Sequence, residues 1–281
     1  MKRLRIKHMT GYRYEGEVTA SYNEARMLPA SSEGQFVLNS HLEISPISSQ
    51  HAYVDYWGTR VSSFDILTPH QELSLTATSL VEVRDREHGG TPLTWDELPV
   101  ATAAEVQYVE QAGQTPLTAP ADDLVELARQ IAADQSDPCA AALAVCRAVG
   151  ESVEYMQGVT GVGSTAREAW GERKGVCQDI THIALGALRS IGIPARYVSG
   201  YLHPKPSAAI GETVTGESHA WVEWFCGEWH AWDPTNLIPI GDRHVLVGRG
   251  RDYRDVSPLR GVYAGPFRSK LFVKVEITRE A

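Results

Sequence analysis

The hydrophobic period of this chain changes from two to 3.6 part-way along, and that change limits what it can fold into. From Glu72 to Val83 the apolar residues Leu73, Leu75, Ala77, Val81 and Val83 all fall at odd positions. Their neighbours are mostly polar, the pattern of a strand with one buried face. Beyond Pro120, Leu124, Leu127, Ala128 and Ile131 recur at helical spacing instead. A chain of 281 residues with both periods predicts a β-rich first part and a second part that opens with helices.

The first part carries other strand-like runs. Gln35 to Ile44 places Leu38, Leu42 and Ile44 on one side; Tyr12–Tyr14, Glu24–Leu28 and Tyr53–Ile66 are punctuated by Pro29, Pro46, Gly58 and Pro69. Short strands at this density predict an antiparallel sandwich or barrel. His8, His41, His51 and His70 are scattered through it as surface or satisfied histidines. Arg86 to Pro120 reads as loop, which sets a β-rich N-terminal domain at 1–105 and a catalytic domain at 106–281. In the second part Asp122 or Asp123 caps one helix and Asp137-Pro138 opens another through Val149. Thr165 and Glu168 have capping-box spacing for a third, ending near Arg173, and a fourth runs from Cys177 to Gly192. ARYVSGYL, SHAWVEWF, EWHAWDPT and KLFVKVEIT then read as strands. Helices first and strands after predict an α+β fold, not a doubly wound one.

Net charge of −9 argues against nucleic-acid and anionic-membrane partners. No apolar run has the length of a signal peptide or a bilayer span, so the expected compartment is cytoplasmic. The four cysteines, Cys139, Cys146, Cys177 and Cys226, include no CxxC pair, and a reducing compartment disfavours disulfides. Cys139 and Cys146 lie in an alanine-rich helical body and read as small buried hydrophobes, and Cys226 beside the turn glycine Gly227 as exposed.

Cys177 differs, because it stands at the start of its helix. Ile180, Ile183, Ala184, Ala187, Leu188 and Ile191 form the apolar stripe, and the thiol precedes it. The unpaired N–H groups and dipole of a helix end favour a thiolate and aim donors at an acyl oxyanion. A thiolate also needs a proton acceptor, and the acceptor an orienter. SHAWVEWFCGEWHAWDPTN reads as a hairpin about Gly227. With Phe225 opposite Trp229, odd positions share one face, and His219 and Asp233 become diagonal neighbours about 7–8 Å apart. A slip of one residue would separate them.

GVCQDITHIALGALRSIGIPARYVSGYL, SHAWVEWF and WHAWDPTN together resemble the transglutaminase-like superfamily of papain-type cysteine enzymes. The first 85 residues, with their LP, DYWG and TPH landmarks, resemble the β-rich region that precedes this domain in bacterial members. The resemblance implies a core of helices packed on an antiparallel sheet. It also implies Cys177 as nucleophile, His219 as general base and acid, and Asp233 as the residue orienting His219. The substrate would be a peptide or protein carboxamide, attacked through a thioester, with hydrolysis favoured over acyl transfer to an amine. No cofactor or metal is expected, and calcium-loop signs are missing.

Blander readings stand beside these. Cys177 could be structural, His219 a sheet histidine, Asp233 a turn former, and the fold a non-catalytic binding module. A metal held by Cys177, His182 and His219 lacks any ligand spacing. Trp221 and Tyr201 are core aromatics that could line an acyl site. The five arginines from Arg243 to Arg260 are interleaved with Asp252 and Asp255, which favours ion pairing over a phosphate patch.

Overall fold

A β1 strand of 17 residues, Lys2–Val18, sets the frame of the first part. The computed structural model describes residues 1–32, 34–46, 49–85, 89–103, 105–216 and 218–281. After β1 come β2 (Ala20–Ala25), β3 (Gln35–Ser45), β4 (Ser49–Val54), β5 (Arg60–Ile66) and β6 (His70–Val83). The second part holds α1 (Glu97–Ala103), α2 (Val106–Ala112), α3 (Asp122–Ala133), α4 (Pro138–Ser152), β7 (Glu154–Tyr155), α5 (Ala166–Glu172), β8 (Lys174–Gly175) and α6 (Cys177–Ser190). The chain then runs through β9 (Ala195–Leu202), β10 (Thr213–Gly216), β11 (Ser218–Phe225), β12 (Trp229–Asp233), β13 (Ile238–Pro239) and β14 (His244–Gly250). It closes with α7 (Tyr253–Val256), β15 (Leu259–Ala264) and β16 (Ser269–Arg279).

The expected sandwich is present, but it is not made by the first part alone. One sheet has the order β10-β16-β1-β6-β3 and its partner β15-β2-β5-β4. Val18, Met27, Phe64, Ile66, Leu73 and Leu75 fill the space between them. Strands β15 and β16 return from the C-terminus to pair with β2 and β1. A cut at residue 105 therefore separates paired strands, and the sandwich is closed by the end of the chain.

The central sheet, β13-β12-β11-β9-β14, carries helices on one face. Ile180, Ile183, Leu185 and Leu188 of α6 pack there with Val222, Trp224 and Trp232, and nearly every α6 residue is buried. On the other face Tyr201, Val245 and Val247 meet Leu4, Ile6, Val275 and Ile277 of the sandwich. The α+β core is thus three layers deep: helices, sheet, sandwich.

Local chemistry accounts for the helix starts. Asp137 accepts the Ala140 N–H at 2.9 Å ahead of Pro138. Thr165 and Glu168 close the expected capping box. Asp122 and Asp123 sit inside the first turn of α3 instead of capping it; Ala121 is the N-cap. Part of the stretch read as loop is helical, as α1 and α2 show; residues 86–88 and 104 lie outside the described residues. Leu38 is exposed, because a register shift between Val37 and Asn39 breaks the alternation of β3.

Candidate active site

Helix α6 begins at Cys177 because its first turn is held from outside. Asp179 Oδ2 accepts the Val176 N–H at 2.8 Å and the Thr160 hydroxyl at 2.6 Å. The N–H groups of Asp179 and Ile180 both return to the Val176 carbonyl, so Cys177 and Gln178 supply the helix-end donors beside the thiol. A Cβ on Gly175 would stand 2.7 Å from Asp179 Cβ, so glycine is what lets the carboxylate close over this turn. Burial pushes the Asp179 carboxyl above its ordinary range, against the lowering effect of Thr160 and Val176.

The β11–β12 hairpin has the register expected of it. Phe225 pairs with Trp229 and Val222 with Trp232, so paired numbers sum to 454. His219 Nε2 consequently lies 2.7 Å from Asp233 Oδ2, with Asp233 fully buried. The Cys177 side chain also hydrogen-bonds the His219 ring, and Asn236 Nδ2 lies 3.3 Å from Nε2. With Nε2 engaged, Nδ1 is the nitrogen left to face the sulfur. Burial opposes protonation of His219, but the Asp233 and Cys177 hydrogen bonds and charges carry its pKa up to about 10. The arrangement places the His219 ring between the Cys177 sulfur on one side and the Asp233 carboxylate on the other.

Asp233 is held by more donors than the sequence revealed. Burial alone would raise its pKa, yet hydrogen bonds from His219, His244 and Asn236 hold it well below the ordinary carboxylate range. Oδ1 accepts the Thr235 N–H at 3.0 Å and the Asn236 N–H at 3.1 Å; Oδ2 accepts Asn236 Nδ2 at 2.8 Å. His244 Nε2 lies 3.4 Å from the same oxygen, while its Nδ1 accepts the Gly241 N–H at 3.3 Å, which assigns the His244 proton to Nε2. The Thr235 and Asn236 contacts are an Asx turn, legible in DPTN. His244 comes from β14 and leaves no local signal.

Two lobes of an open cleft meet at Cys177 and His219. One, of about 400 Å³, is lined by Gln157, Gln178, Tyr197, Tyr253 and Lys274; the other, of about 540 Å³, by Leu202, Pro204, Thr235 and Asn236. Thr215 and Gly216 of β10 border both, and Val273 to Val275 of β16 border the first. The sandwich therefore supplies one wall of the cleft. Tyr201 and Trp221 do not line it: Tyr201 is buried against His8 and the Met27 carbonyl, and Trp221 packs with Val198 and Leu246. Gln178 spends its amide on the Val162 carbonyl at 3.3 Å.

The metal reading of Cys177, His182 and His219 fails on geometry. His182 is fully buried, its Nε2 accepts the Tyr253 N–H at 3.1 Å, and burial with the nearby Arg189 and Arg254 charges lowers its pKa to about 3. His219, Asp233 and His244 do bring three ligand atoms within 4.8 Å, but N–H donors already surround the carboxylate. Among the C-terminal arginines, Arg251 pairs with Asp255 at 3.0 Å and Arg249 with the buried Glu223 at 2.7 Å. Asp252 instead caps α7 by accepting the Arg254 N–H.

Cys226 is not exposed, and it is not a free thiol. It is fully buried and disulfide-bonded to Cys139, with their Cα atoms 5.6 Å apart. The spacing of 87 residues gave no sign of this pairing. Cys146 is free and buried, and burial raises its pKa steeply, as expected of a small core residue. Cys177 is the free thiol with access to solvent. No described helix is long and apolar enough to cross a membrane.

Residues 4–82 match the bacterial transglutaminase-like N-terminal region, and residues 125–234 match the transglutaminase-like superfamily. An uncharacterized protein of Mycobacterium leprae is 43% identical over 281 residues, covering 100% of both chains. The chain belongs to the transglutaminase-like superfamily. Another superfamily relative, an uncharacterized protein of Mycobacterium tuberculosis, is 31% identical across 98% of this chain and 92% of its own. The fold matches a crystal structure from Cytophaga hutchinsonii, provisionally assigned as a cysteine protease, with a TM-score of 0.79. That pair shares 22% identity, over 100% of this chain and 91% of the other.

Proposed function

We propose that this superfamily member is a thiol amidase or protease in which Cys177 attacks, His219 transfers the proton and Asp233 orients His219. One observation carries the reading: the His219 ring bridges an accessible sulfur and a buried carboxylate at the floor of an open cleft. The Cys177 thiolate adds to the amide carbonyl, and the N–H groups at the start of α6 hold the oxyanion. His219 then protonates the leaving amine, leaving a thioester on Cys177. In the second half His219 takes a proton from water, whose oxygen adds to the thioester, and the carboxylic acid departs as the thiolate returns. Asp233 stabilises the imidazolium without taking its proton.

Both lobes open to solvent, which favours water over an amine as acceptor. A peptide library with internal and side-chain amides, using Cys177→Ala as the blank, tests the reading. Release of free acid by the native protein alone supports hydrolysis. An adduct with an added labelled amine would mean transfer instead, and turnover by Cys177→Ala would remove the thiol from the mechanism.

A further inference from the structure

The β11–β12 ribbon carries a second cluster of ligand-type side chains at its tip, away from His219. Cys226 directly follows β11 in the turn, His230 is the second residue of β12, and α4 brings Cys139, its second residue, against Cys226. A sulfur from each cysteine and a ring nitrogen of His230 all lie within 4.8 Å of one another. Glu228 Oε1, in the turn between them, is 3.7 Å from His230 Nε2. The Trp224 ring lies nearly parallel to the imidazole, with centroids 6.1 Å apart and planes 16° from parallel. Cys139 stands in the first turn of α4, one residue after Pro138.

The geometry points to a site that changes occupant with redox state: closed as a disulfide when oxidised, and holding a Zn²⁺-class cation on Cys139, Cys226 and His230 when reduced. We place Glu228 or a water at the fourth position. Two thiolates, one imidazole and one oxygen are the donor set a tetrahedral d¹⁰ cation takes. The chemistry balances through a dithiol reductant, which delivers two electrons and two protons to the Cys139–Cys226 bond and itself closes to a disulfide. Each new thiol then loses its proton to solvent as its sulfur binds the cation. The consequence is structural. In a reducing compartment the disulfide would open, and the cation would keep α4 tied to the ribbon that carries His219 and Asp233. This inference does not depend on the proposed activity.

The test uses the full chain, reduced with a phosphine and titrated with Co²⁺ as a coloured probe. One Co²⁺ per chain is expected, with sulfur-to-metal charge-transfer absorption, and Zn²⁺ should displace it. The oxidised protein should show no such absorption. Cys139→Ser and Cys226→Ser should lose the band, His230→Ala should weaken binding, and Cys177→Ala should leave it unchanged. Zn²⁺ should also raise the melting temperature of the reduced native chain but not of Cys139→Ser. If Cys226→Ser fails to fold, Cys139→Ser and His230→Ala, both altered at partly exposed positions, carry the decision. No stoichiometric uptake by the reduced native chain, or uptake that survives Cys139→Ser, overturns the site. Binding without the sulfur band would place the cation at His219, Asp233 and His244 and overturn it equally.

Discussion

His219 Nε2 and Asp233 Oδ2 stand 2.7 Å apart across neighbouring strands, 14 residues apart in sequence. Their hydrogen bond is the first of several contacts that offset the burial of both groups. Asp233→Asn removes the charge while keeping the shape, and the His219 pKa, now about 10, should fall back toward its ordinary value. The alkaline limb of kcat/KM should therefore move to lower pH, with kcat reduced roughly a thousandfold or more. A pH–rate profile of the two proteins checks this; an unmoved alkaline limb would mean that Asp233 does not set the proton affinity of His219.

The same shift has a sign for stability. A histidine whose folded pKa is raised stabilises the fold most below its unfolded value, about 6.5, and loses that contribution as pH rises through about 10. Asp233, lowered in the fold, contributes above its unfolded value, about 3.9, and loses that as pH falls through its folded one. Urea midpoints of the native protein should accordingly decline between pH 7 and 10 more steeply than those of Asp233→Asn. Parallel profiles would count against the coupling.

The hairpin register was legible because Gly227 marks the turn and a register with Phe225 opposite Trp229 puts His219 and Asp233 on one face, and that pairing is the one the chain adopts. The helix starts were legible because Asp137, Thr165 and Glu168 act on backbone groups within a few residues. What could not be read depends on distant segments. The Cys139–Cys226 bond, the His244 contact and the return of β16 to β1 span long separations with no local pattern. The long β1 strand was read only in fragments. Leu38 misled because a bulge reverses the facing of residues that alternate in the sequence.

Helix α4 approaches the Asp233 loop so closely that a Cβ on Gly150 would lie 2.1 Å from the Pro234 carbonyl oxygen and 2.6 Å from Leu237 Cδ2. Backbone cannot give way there as a flexible side chain would. Gly150→Ala should destabilise the protein by about 1–3 kcal/mol by overpacking, despite the better helix propensity of alanine. Because Pro234 follows Asp233, activity should fall by more than the stability loss explains. Chemical denaturation alongside kcat/KM separates the two, and a more stable, fully active Gly150→Ala would refute the close contact.

Asp179 offers a sharper dissection of how the thiol is placed. Its Oδ2 serves two donors, the Val176 N–H just before Cys177 and the Thr160 hydroxyl, and Gly175 leaves room for it. Asp179→Ala orphans both donors and should cost about 1–2 kcal/mol. Asp179→Asn keeps one oxygen acceptor in place and should recover much of that loss. If the carboxylate positions the first turn of α6, the rate of Cys177 alkylation by iodoacetamide should fall in the alanine protein and recover in the asparagine protein. The recovery follows because geometry, not charge, is what the two substitutions treat differently. Should Asn and Ala slow alkylation alike while both remain folded, the negative charge would be the working element and the latch only scaffolding.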